Sequence, residues 1–208
     1  MGSLKLKSKC ELYDFEKLFK KKGYAYFTQG DYNLNIIGVR AKVDGNKVTN
    51  QYDDVLVVIY SVGGHVKKRV YQYFTTDPGR YYMTESLGNP KGTAILVPGQ
   101  YRKTWKIGKH RGKYQALCQS KSVKVYRDGN KDNVYDMKPE TIDTGIFGIN
   151  IHRSNELYTR ETIDKYSAGC QVFASPTDFG SFMYLCREQQ KRYGNNFTYT
   201  LLNEEDLV

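Results

Sequence analysis

The chain has 208 residues, 39% of them hydrophobic and 14% aromatic, with a formal net charge of +10. That length suits one domain with a real core, and that composition excludes a disordered chain. No apolar run approaches the roughly 18 residues of a membrane-spanning helix, and four cysteines without CxxC spacing indicate neither a zinc site nor a disulfide framework.

The first ten residues, M-G-S-L-K-L-K-S-K-C, are basic but lack the apolar centre of a signal peptide. Leu6 stands where a myristoylation signal wants Ser or Thr. The expectation is synthesis in the cytoplasm without a signal peptide. Residues 10–22 place Leu12, Phe15, Leu18 and Phe19 at helical spacing and end in lysines before Gly23, which predicts a docking helix closing the segment 1–23.

From Tyr24 to Tyr82 the sequence is β-like. The runs Asn35–Ala41, Val55–Tyr60 and Arg69–Phe74 predict strands, with Asp44-Gly45-Asn46 and Gly63-Gly64 as turns. Thr75–Gly79 is a turn and residues 84–91 a polar loop. Residues 92–99 and 100–107 predict two further strands. Trp105 lies there among Lys103, Lys106, Lys109 and His110, a solvated basic face or a rim for carboxylate-bearing peptides.

Residues 113–127 predict two more strands. The loop after them carries oxygen donors at Asp128, Asn130, Asp132 and Asp136, spaced as in the first part of an EF-hand loop. Asn133 replaces the usual glycine, and Pro139 stands where the closing glutamate belongs. A structural calcium ion is one expectation for this loop; a metal-free hydrophilic hairpin is the other.

Phe147, Ile149 and Ile151 alternate as in a strand, placing Asn150 and His152 on its other face, with Gly148 permitting close approach. An excursion over 153–166 then leads to Ser167-Ala168-Gly169-Cys170-Gln171-Val172-Phe173, a turn entering a strand. Ser175, Pro176 and Asp178 start a helix with Phe179, Phe182, Met183 and Cys186 inward, closed by Gly194. Residues 196–202 predict a last strand, and the acidic tail is expected to fray.

Cys170 and His152 carry the chemistry. A thiol attacks as thiolate, and a nearby imidazole is the usual means of making one at neutral pH. His152 is followed by fourteen residues and then Ser167-Ala168-Gly169-Cys170. This framing resembles the L,D-transpeptidase catalytic domain (YkuD-like), whose signature is a histidine, some fourteen to seventeen residues, and Ser/Thr-His-Gly-Cys. The resemblance covers residues 92–175 as catalytic core. Ala168 stands where that family has a second histidine, and Val172 where a polar residue follows the cysteine.

The resemblance implies a mainly β (α+β) single domain over 1–208, a β-sandwich with a helix near each end. It implies a thioacyl-enzyme on Cys170 made from a peptidoglycan stem peptide, with His152 as base and acid and no cofactor. Backbone N–H groups around Gly169 and Cys170 would bind the oxyanion, and the Arg153 carbonyl would orient the histidine. Ser167 and Asn150 are shell residues and Arg153 a carboxylate binder. Water as acceptor gives an L,D-carboxypeptidase or endopeptidase, and an amine gives a transpeptidase. A phage-borne lysin, reaching the bacterial wall after release or carried in a virion, fits the absent signal peptide. Two other classes stand beside the enzyme: a wall-binding or virion structural protein of the same fold, and a basic nucleic-acid-binding protein. The basic residues are spread over 5–22, 67–69, 102–113 and 121–131 with no nucleic-acid module, which speaks against the last.

Overall fold

The computed structural model describes residues 2–208, with side chains from Leu4 onward. The predicted N-terminal helix is two helices, α1 (Gly2–Leu12) and α2 (Phe15–Lys22). The break falls at Asp14, whose carboxylate accepts from the Lys17 N–H at 3.1 Å and so caps a new helix. The break turns Leu12 outward, 89% exposed, while Phe15, Leu18 and Phe19 are buried. Gly23 closes α2 with φ +67°, as its lack of a Cβ permits.

Strands β1 (Asn35–Arg40), β2 (Asp54–Val62) and β3 (His65–Thr75) follow as an antiparallel set, with Gly63 and Gly64 in the left-handed turn between β2 and β3. A short helix that the sequence reading missed, α3 (Arg80–Thr84), precedes β4 (Thr93–Leu96), β5 (Gly99–His110), β6 (Tyr114–Gln119) and β7 (Val123–Asp128). Then come β8 (Asp143–Gly145), β9 (Ile151–Arg153), β10 (Gln171–Phe173), helix α4 (Pro176–Tyr193) and β11 (Phe197–Asn203).

The protein is mainly β, as its strand patterns predict. In place of a two-sheet sandwich, eight strands close into a barrel in the order β1-β11-β5-β6-β9-β10-β3-β2, and β4-β7-β8 form a separate small sheet. Closure depends on β1, which pairs antiparallel with β2 on one side and parallel with the C-terminal β11 on the other. Helices also stand elsewhere than near the two ends, since α3 lies mid-chain.

The run Asp54–Tyr60 does not alternate because both faces of β2 are covered. Leu56, Val58 and Tyr60 join the main core with Trp105, Phe173, Tyr199 and the inner stripe of α4. Val55, Val57 and Ile59 pack against Leu6, Cys10, Phe15, Leu18 and Phe19 of α1 and α2. The N-terminal helices are therefore the lid of a second apolar layer.

Helix α4 begins as the sequence requires, with the Ser175 hydroxyl accepting from the Asp178 N–H at 3.2 Å. The acidic tail is docked, contrary to the expected fraying. Leu207 is 2% exposed, Lys22 pairs with Asp206 at 2.7 Å, and Asn203 and Asp206 cap a final turn. Trp105 is fully buried rather than on a solvated face, donating its indole N–H to the Ile149 carbonyl at 2.7 Å.

Candidate active site

The predicted strand over 147–151 is shorter than its alternation implies. Gly148, at φ +75°, takes the chain out of extended conformation, so pairing starts only at Ile151. There β9 runs parallel to β10 in the register Gln171 with Ile151 and Val172 with His152. The Gln171 N–H donates to the Asn150 carbonyl at 2.9 Å, so Cys170 enters β10 two residues before the His152 rung. Eighteen residues of sequence separation thus become neighbouring strands.

His152 is 4% exposed. Its Nδ1 lies 2.8 Å from the Arg153 carbonyl oxygen. A carbonyl only accepts, so Nδ1 carries the proton and Nε2 keeps a lone pair. The Tyr114 hydroxyl donates to the same carbonyl at 3.0 Å, and its oxygen lies 3.4 Å from Nδ1. The Arg153 guanidinium lies over the Tyr114 ring at 4.4 Å and pairs with Glu156 at 3.0 Å. Its carbonyl, then, is what touches the histidine, and its charge is already engaged.

A second imidazole was not foreseen as part of the site. His110, at the end of β5, stacks on His152 with ring centroids 4.0 Å apart and planes at 22°. The Asn150 amide lies 3.0 Å from His110 Nδ1 while its oxygen accepts from the Gln119 N–H at 2.9 Å. With Nδ1 accepting, His110 carries its proton on Nε2. The sequence held one signal for it: His110 is one of three histidines and lies just past the predicted basic strand 100–107.

Burial pushes the His152 pKa down to about 3, His110 adding to the effect, and the Arg153 carbonyl opposes it. Burial likewise pushes His110 down to about 4. The Cys170 thiol is pushed up to about 11, first by burial, with its backbone contact to Asn150 and the charge of Arg111 pulling the other way. At neutral pH both partners rest uncharged.

Cys170 is half-buried, and its thiol donates to the Gly148 carbonyl at 3.4 Å. A pocket of about 200 Å³ has His110, Tyr114, His152 and Arg153 in its wall, but not Cys170.

Ser167 and Gly169 shape the turn that presents the thiol. The buried Ser167 hydroxyl donates to the Cys170 carbonyl at 2.7 Å and accepts from the Gly169 N–H at 3.2 Å. That N–H is therefore occupied at rest. Gly169 has φ +116°, and a Cβ there would run into the Ala94 carbonyl oxygen. Gln171, next to the thiol and fully buried, was also missed. Its amide N–H donates to the Thr76 and Gly169 carbonyls at 3.2 and 3.3 Å, and its oxygen accepts from the Tyr199 hydroxyl at 2.7 Å.

The loop at 128–136 is tied by its own side chains. The Asn130 amide donates to Asp132 and Asp136, each at 2.9 Å, and Lys138 pairs with Asp136 at 3.0 Å. Asp128, 1% exposed, accepts from the Asp136 N–H at 2.8 Å with one oxygen and leaves the other unpartnered. Among the described residues no group of three acidic, His or Cys side chains is arranged to hold a metal, and no helix is long and apolar enough to cross a membrane.

Comparison with known proteins finds no matching family model, no matching curated protein and no matching solved structure.

Proposed function

We propose that the protein is a cysteine-dependent enzyme of peptidoglycan stem peptides, acting through a thioacyl-enzyme on Cys170 with His152 as its proton acceptor. The observation that carries this reading is the Nδ1–H of His152 held on the Arg153 carbonyl. It fixes the tautomer whose Nε2 can take a thiol proton, on the strand that pairs with the one Cys170 enters. The wall as substrate, and the link to L,D-transpeptidases, rest on the His152 to Ser-Ala-Gly-Cys framing and on the charge of +10.

Because both groups rest uncharged, the proton moves during attack rather than before it. The thiol turns from Gly148, Nε2 accepts its proton, and sulfur bonds to the peptide carbonyl carbon. The imidazolium then returns that proton to the departing amine. The Cys170 and Gly169 N–H groups face the developing oxyanion, the latter after leaving Ser167. Water or an amine, deprotonated by His152, releases the acyl group. We assign hydrolysis, giving an L,D-carboxypeptidase or endopeptidase, ahead of transpeptidation.

A second reading, a wall-binding or virion protein with a silent cleft, is favoured by the thiol held at about 11 and absent from the pocket wall. Purified wall fragments incubated with wild type and Cys170→Ala separate the two. A product, or an acyl adduct on the intact protein, that appears in wild type only establishes the enzyme. Untouched fragments bound equally by both proteins establish the binder.

A further inference from the structure

A second, larger cavity lies beside the histidine pocket. Its volume is about 470 Å³, and Arg80, Tyr81, Arg160, Lys165 and Tyr166 are in its wall. Lys165 and Tyr166 also line the histidine pocket, so the two spaces share a wall. A ligand seated at His152 and extending along that wall enters the larger cavity.

The larger cavity is built rather than accidental. Asn50, buried at 5% exposure, joins its two sides. The Asn50 oxygen accepts from the backbone N–H of Arg80 on one side and of Asp164 on the other, both at 2.9 Å, and its amide donates to the Asp164 carboxylate at 2.6 Å.

Its charge is unbalanced toward the positive. Arg80, Arg160 and Lys165 have no carboxylate within 4.0 Å among the described residues. Lys165 rests on the Tyr81 ring at 4.3 Å and Arg160 on the Tyr166 ring at 5.0 Å. Asp164 takes hydrogen bonds from the Thr162 hydroxyl and the Asn50 amide, each at 2.6 Å, which with Arg160 and Arg80 hold its carboxyl below the usual range, so the wall sets Arg80, Arg160 and Lys165 against the charges of Asp164 and Glu85. Arg160 spends one N–H on the Tyr158 hydroxyl at 3.2 Å, and its remaining side-chain donors, with those of Arg80 and Lys165, have no hydrogen-bond partner among the described residues.

We infer that this cavity is a subsite for a carboxylate-bearing segment of the peptide whose acyl group is presented to Cys170. Arg80 and Arg160 bind the carboxylate, and Tyr81 and Tyr166 receive the aliphatic stem. The inference rests on the thiol-centred reading above and adds the part of the substrate that is recognised.

The test uses Cys170→Ala protein, in which no turnover occurs, and two probes: a stem tetrapeptide with free carboxylates and the same peptide with every carboxylate converted to carboxamide. Calorimetry at low salt should show the acidic peptide binding at least fivefold more tightly. That preference should vanish in Arg80→Gln/Arg160→Gln, whose unchanged melting temperature shows the fold intact. Equal affinity for the two peptides, no binding of the acidic one, or a preference that survives the double substitution would overturn the subsite. Intact-mass measurement of wild type with the acidic peptide reads the acyl step separately. An adduct without carboxylate preference sinks the subsite alone, and carboxylate preference without an adduct sinks the catalytic reading alone.

Discussion

His110 and His152 lie face to face at 4.0 Å, brought from β5 and β9 by a barrel in which each strand has β6 as a neighbour. Each imidazole is held in one tautomer by its own partner, the Asn150 amide for His110 and the Arg153 carbonyl for His152. Two neutral rings can stack; two imidazolium ions at that distance would repel strongly.

The stack makes the fold acid-sensitive. Both histidines have folded pKa values far below the ordinary 6.5, about 4 for His110 and about 3 for His152, with burial the first cause. The unfolded chain takes up protons below pH 6.5 that the folded one refuses. Their stabilising contribution is full above 6.5 and is lost as pH falls toward 4. His110→Phe keeps a ring in the stack and removes one titration. Its melting temperature should fall less steeply between pH 6.5 and 4 than that of wild type, followed by the emission of the buried Trp105. Parallel curves would deny His110 this role.

Asp53 acts with the opposite sign. Burial, its first cause, pushes this carboxyl up to about 6, and Asp77 adds to the shift. The stability it contributes is full below the ordinary 3.8 and is lost as pH rises through 6. Asp53→Asn keeps an oxygen for the Thr49 hydroxyl, now 2.7 Å from the carboxylate. The variant should be more stable than wild type at pH 7.5, by on the order of 1 kcal/mol, and no more stable at pH 4. Equal melting temperatures at pH 7.5 would show that Asp53 is not perturbed.

Cys170 should alkylate slowly. With the thiol near 11, roughly one molecule in ten thousand is thiolate at pH 7. Iodoacetamide labelling at Cys170, read by peptide mass spectrometry, should rise about tenfold per pH unit from 7 to 10. A rate already flat at pH 7 would mean that thiolate and imidazolium coexist at rest.

Gly169→Ala tests the turn. The left-handed φ and the Ala94 carbonyl leave no room for a Cβ, so the variant should lose at least about 2 kcal/mol in urea unfolding. A loss below about 0.5 kcal/mol would mean that β4 and the turn separate easily.

At the 128–136 loop a calcium ion would have to displace the Lys138 ammonium and turn the Asn130 amide around. Melting temperatures in millimolar calcium and in chelator should agree within about one degree. A rise of several degrees with calcium would show that the amide flips and an ion binds.

Local chemistry made much of this molecule legible. The caps of α4, the glycines after β2 and α2, and the β-branched runs of β1 to β3 act through contacts within a few residues, so the amino-acid order alone determines them. The spacing of His152 and Cys170 belongs to the same class, since a strand, an excursion and a turn can be read along the chain. What only the tertiary structure decided are the contacts between distant segments. The parallel pairing of β1 with β11 closes a barrel where alternation alone fits a sandwich equally well. His110 reaches His152 only because β5, β6 and β9 are neighbours, and Lys165 joins two cavities only because the 153–166 excursion folds back over Asn50. Side-chain alternation fixes which face of a strand is buried, but it carries no information on which strand lies beside it.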